Sequence, residues 1–184
     1  MINLVDYLFN KIKPIIQGWD EQGIYAISFF VQTNEATGNI PSFAISYNTE
    51  EDCGFCPPLS EERWNYAFWR QNENLIIGNV ETIELLLNWF KQNNIENIGQ
   101  EDRERMYDVN YNYIGNGPNG KYEFIQAVTE VAKRLHNEEV LLNSFGTEIP
   151  IIIHDLEYAW YELEATRNAN PPGLADMFLK TIGS

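Results

Sequence analysis

Basic residues are scarce in this 184-residue chain: 12 lysines and arginines stand against 27 aspartates and glutamates, a formal net charge of −15. A surface for nucleic acid or anionic membrane needs a clustered cationic footprint, and the only adjacent basic pair is Lys133-Arg134. The composition therefore argues against direct binding to either. Long apolar runs are missing as well; none approaches the roughly 18–20 residues that span a bilayer. Cysteine is limited to Cys53 and Cys56, too few for a secreted disulfide scaffold. The opening MINLVDYLFNKIK carries Asp6 and amphipathic spacing where a signal peptide has a basic start and an unbroken apolar stretch, so a cytoplasmic protein is expected. No P-loop, dinucleotide fingerprint, HExxH or GxSxG motif occurs, and there is no internal repeat.

What is present is enough apolar material for a real core: 44% of the residues are hydrophobic, and aromatics make up 14% of the chain. Apolar positions between Ile2 and Trp19 follow helical spacing, with a bend expected at Pro14. GIYAISFFVQTN and IPSFAISYNT read as an antiparallel pair around the Gly38-Asn39 turn signal. Strict alternation places Tyr25, Ile27, Phe29 and Val31 on one face, matched by Phe43, Ile45 and Tyr47 on the neighbour. SEERWNYAFW and NVETIELLLNWFKQNN read as helices on either side of NLIIGN, and YDVNYNY as a short edge strand or an ordered loop. KYEFIQAVTEVAKRLHNEEVLLN reads as a helix, EIPIIIHD as a strand, and LEYAWYELEATRNAN and GLADMFLKTI as two closing helices separated by Pro171-Pro172. The expected fold is α+β: a small, mainly antiparallel sheet covered by several helices, forming a single domain over residues 1–184.

Three stretches carry residue types that do chemistry. Cys53-Gly54-Phe55-Cys56 has the spacing of a thiol–disulfide couple, and EIPIIIHD resembles the strand that faces such a couple in thioredoxin-like proteins. A redox couple, however, uses a helix beginning at its first cysteine, and Pro57-Pro58 stand where that helix would run. The alternatives are a structural turn around Gly54 and a zinc site completed by His136 and His154, both of which would have to come from far along the chain. His154-Asp155-Leu156-Glu157 has the composition of a metal or acid/base site, or of a strand end where polar residues resume. Neither a metal nor a cofactor is expected.

SYNTEED, ERWNYAFW and IPIIIHDLEYAWYELEATRNANPPGLADMFL together resemble a bacterial family of about this length that is known only as a domain of unknown function. Arg63, Trp64 and Trp69 match its Arg-Trp followed by a second Trp, while Asn65, Tyr66 and Phe68 depart from its usual pattern. We expect these tryptophans to be structural, buried on a helix. Small acidic α+β proteins of this kind are similar to immunity proteins, which cap a toxin domain without doing chemistry. The resemblance implies a cognate toxin as partner, and the charge implies that this toxin is basic, because an acidic inhibitor is steered to a cationic target. EDRERMYDVNYNYIGNGPNG combines acids with tyrosines, which offer large contact area at low entropy cost. Glu101, Asp102, Glu104, Tyr107, Asp108, Tyr111 and Tyr113 are accordingly the expected partner-binding residues. The competing readings are an oxidoreductase acting through Cys53 and Cys56, and a regulatory domain for a small molecule.

Overall fold

The computed structural model describes residues 3–100 and 102–183. Helix α1 (Leu4–Gln17) starts where the Asn3 side chain accepts a hydrogen bond from the Asp6 N–H at 3.1 Å. It runs through Pro14 without ending, since the proline sits in the last turn. Ile2, where the expected helix begins, lies outside the described residues.

Strands β1 (Ile24–Gln32), β2 (Ser42–Thr49), β3 (Asn74–Ile77) and β4 (Ile151–His154) form one sheet in the order β3-β2-β1-β4. β2 lies antiparallel to β1 and β3, whereas β4 runs parallel to β1, with Phe29 opposite both Ile45 and Ile153. The sheet is thus mainly antiparallel, and helices cover it in a single α+β domain, as the patterning implied. One face carries Ile27, Phe29, Val31, Phe43, Ile45 and Ile153 into the main core. That core is closed by Leu8 and Ile12 of α1 and by Phe124 and Val128 of α5 (Lys121–Asn137).

Alternation fails at one residue of β1. A register shift between Ile24 and Ala26 turns Tyr25 to the opposite face, away from the Ile27, Phe29 and Val31 set with which it was expected. That opposite face is built from small side chains, Ala26, Ser28, Ala44 and Ser46. The space above them is filled by Trp64, Tyr66 and Trp69, each 3–4% exposed.

The expected helix across 60–69 is only a single turn, α2 (Glu61–Trp64), followed by a 3-10 turn at Tyr66–Phe68. On a continuous helix two residues five apart point about 140° away from each other, so both indoles could not face the sheet. The break at extended Asn65 turns both inward, where the Trp64 Nε1–H donates to the Pro58 carbonyl (2.6 Å) and the Trp69 Nε1–H to that of Arg63 (2.9 Å). The helix expected over 121–143 likewise divides at Glu139, whose φ of 54° cannot continue a helix, into α5 and α6 (Val140–Phe145). NLIIGN, left between two helices, supplies β3. Helix α3 (Val80–Gln92) follows from an Asn79 cap, and α7 (Trp160–Ala169) and α8 (Asp176–Ile182) close the chain.

The outer edge of β4 is closed by side chains of α7 and the residue after it. The Thr166 hydroxyl accepts from the Ile153 N–H and donates to the Ile153 carbonyl, both at 2.9 Å. One turn on, Asn170 Oδ1 accepts from the Ile151 N–H and Nδ2 donates to the Ile151 carbonyl, both at 2.8 Å. Together they do what a fifth strand would do for an otherwise open edge. Thr166→Val keeps the shape but orphans both polar groups of Ile153, and should lower stability by about 2 kcal/mol in urea unfolding. An unchanged midpoint would show that the edge does not depend on this pairing.

Candidate protein-binding surface

Asp102 starts the short helix α4 (Arg103–Met106), its Oδ1 accepting from the Glu104 N–H at 3.0 Å. The chain then folds back on itself: Tyr107 and Tyr113 form an isolated antiparallel bridge, and the Ile114 N–H donates to the Met106 carbonyl at 3.0 Å. Asp108 organises the tip, with Oδ1 accepting from the N–H groups of Asn110 and Asn112, both at 2.8 Å. The Asn112 side-chain and backbone donors hold the Asp108 carboxyl below its ordinary range. Tyr111 stands in the left-handed region at φ 64°, and the Arg103 guanidinium lies 3.7 Å from its ring centre.

The seven expected contact residues divide by role. Glu101 lies outside the described residues. Asp102 and Asp108 spend their carboxylates on the cap and the turn. Tyr107 and Tyr113 are half-buried against the main core. The Tyr113 hydroxyl is buried without a hydrogen-bond partner, and burial, then the charge of Glu164, pushes its pKa up. Glu104 and Tyr111 remain exposed. The loop is therefore a hairpin whose base is core and whose tip is surface.

Sequence reasoning missed the largest exposed apolar groups here. Val109 is 91% exposed, Ile114 48% and, across a cleft lined by Tyr113 and Gly115, Trp160 is 66% exposed. A signal for Trp160 was available: it heads the helical stripe of Glu164, Arg167 and Asn168, an aromatic on an otherwise polar face. Val109 and Ile114 line one cleft with Arg103 and Glu104, Tyr111 lines a second with Arg103, and Trp160 shares a third with Tyr113. Exposed apolar side chains thus stand around the hairpin, a composition suited to protein contact.

The stretches with catalytic residue types are dispersed by the fold. His154 is buried at 1% exposure; its Nε2 accepts from the Ser28 hydroxyl at 2.8 Å and its Nδ1–H donates to the Asp155 carbonyl at 3.0 Å. Rings of Phe30, Tyr66 and Tyr158 enclose it, and burial lowers its pKa to about 4. Asp155 points elsewhere, to Lys121, and Glu157 is exposed. His136 lies between Glu148 (2.6 Å) and Asn170 (3.2 Å). Among the described residues no group of three or more His, Cys, Asp or Glu side chains is arranged to hold a metal.

Cys53 and Cys56 are joined by a disulfide, with Cα atoms 5.6 Å apart. The residues between them turn left-handed, and the next helix begins only at Glu61, so Cys53 lacks the helix N-terminus that stabilises a redox-active thiolate. The run Gly115 to Lys121 also has most of the spacing of a phosphate loop and leads into α5. There the Lys121 ammonium is taken up by Asp155 and Glu162, and Glu123 occupies the Gly120 N–H.

No family model matches the chain, and no curated protein or solved structure gives a significant match. Among the described residues no helix is long and apolar enough to cross a membrane.

Proposed function

We propose that this chain is a non-catalytic protein-binding module, of the immunity type, that occludes a basic bacterial toxin. The observation that carries the reading is the hairpin surface. Large apolar side chains stand out at Val109, Tyr111, Ile114 and Trp160 on a chain whose net charge is −15. Desolvating such anchors supplies affinity, while the surrounding negative field steers a cationic partner and rejects anionic ones. A catalytic reading finds less support, since the buried His154 has no route to substrate and the cysteine pair lacks its helix.

The test is capture from native lysate by the tagged protein at low and high salt, with the captured protein identified. A stoichiometric basic toxin fragment, retained at low salt and weakened at high salt, is the expected result. Tyr111→Ala combined with Trp160→Ala should lower its affinity by about 2–4 kcal/mol, measured by calorimetry. If no partner appears in either salt condition, the immunity reading loses its support.

A further inference from the structure

The disulfide turn is a more unusual surface than the hairpin. Gly54 and Phe55 both lie in the left-handed region, at φ 64° and 57°. Glycine accepts this freely, but a phenylalanine there is a backbone outlier that its surroundings must impose. They do so closely. The Gly54 N–H donates to the Glu51 carbonyl at 2.9 Å and the Phe55 N–H to that of Glu50 at 2.7 Å. The Cys53–Cys56 bond closes the ring behind them. Arg63 anchors the turn from below: it donates to the Cys56 carbonyl (3.3 Å), pairs with Glu50 (2.8 and 2.5 Å) and stacks over Tyr25 at 3.9 Å.

All this order serves a side chain that stands in solvent: Phe55 is 76% exposed. Leu59 and Phe68 on the same segment are 59% and 57% exposed. Five acids and one arginine occupy residues 50–63, against three acids and two arginines over 102–113. The acidic character is therefore concentrated around the turn, more than around the hairpin.

We propose that Phe55 is a preorganised docking knob that enters an apolar pocket bordered by lysine and arginine side chains on a protein partner. Exposed carboxylates of Glu51, Glu61 and Glu62 would meet that cationic border, and the disulfide holds the ring where it is presented. The nature of the partner rests on the protein-binding reading above, but the surface is a different one.

The test places the photo-crosslinker p-benzoylphenylalanine, one position per variant, at Phe55, at Tyr111 and at exposed Glu35 as control. Each variant is irradiated in native lysate, and the adduct and its cross-linked peptide are identified by mass spectrometry. Position 55 is expected to give an adduct with one protein, through a segment in which apolar residues are flanked by lysine or arginine. Cys53→Ser with Cys56→Ser should lower its yield about fivefold. The proposal is overturned by no adduct at 55, by the same adducts at 55 and 35, or by a contact segment without cationic residues. An adduct at 111 with none at 55 keeps the protein-binding reading and rejects the knob; the reverse supports the knob and rejects the hairpin surface.

Discussion

Lys121→Met should remove about 3–5 kcal/mol of stability, a large part of what holds a domain of this size. Lys121 is 6% exposed at the start of α5, where its Nζ lies 2.6 Å from Asp155 at the end of β4 and 2.8 Å from Glu162 in α7. Burial alone would lower the lysine pKa; Glu162, then Tyr161 and Asp155, more than reverse this and hold the ammonium charged. For Glu162 burial is the largest influence and pushes its pKa up, while Lys121 and the N–H groups of Ala159 and Asp155 pull it back. With the ammonium on Oε1 and two N–H donors on Oε2, at 2.9 and 3.2 Å, the carboxylate is ionised. Methionine fills the space but leaves that carboxylate buried without a counter-charge. Guanidinium unfolding at neutral pH reads the loss directly. Adding Glu162→Gln to the same chain should recover most of it, because the neutral amide oxygen still accepts from the Ala159 and Asp155 N–H groups and the cost lies in the unpaired charge. A loss below about 1 kcal/mol for Lys121→Met would mean that water reaches Glu162 and that the triad is not sealed.

Acid should unfold the protein through a second buried group. His154 titrates near 6.5 in an unfolded chain and at about 4 in the fold, chiefly because burial disfavours its charged form. The sign follows from which state binds the proton. Between pH 6.5 and 4 the unfolded chain is protonated and the folded one is not, so stability is full above that window and falls through it as pH drops. Below about 4 the loss attributable to this ring reaches roughly 3 kcal/mol and stops growing. Carboxylates held low by a partner, such as Glu50 beside Arg63, add their own acid sensitivity, so the comparison must be internal. Ser28→Ala with His154→Phe removes both ends of the buried hydrogen bond and keeps a ring among Phe30, Tyr66 and Tyr158. Urea unfolding of both proteins at pH 7 and pH 4.5 should show a smaller acid loss in the double variant by about 2–3 kcal/mol. Equal losses would place the acid sensitivity wholly in the carboxylates.

Much of the candidate surface could be located from its residues but not apportioned. A tyrosine in a polar run looks the same in sequence whether it packs or protrudes. Tyr107 and Tyr113 pack because they bridge one another at the hairpin base, while Tyr111, four residues after the first and two before the second, lies near the tip and is exposed. The disulfide turn was visible as a spacing, yet the exposure of Phe55 follows from two successive left-handed residues, which only glycine makes locally legible.

By itself the sequence determined the charge, the α+β make-up, the two long strands and most helix positions. Those are properties of composition and of periodicity within one element, where neighbouring side chains decide which face is apolar. Tertiary structure alone decided the rest: the turning of Tyr25 by a bulge, the closure of the β4 edge by Thr166 and Asn170, and the meeting of Lys121 with Asp155 and Glu162. Each of these joins residues from separate elements, and the free energy that selects it, from satisfying a buried polar group or filling a space, exists only once those elements have packed.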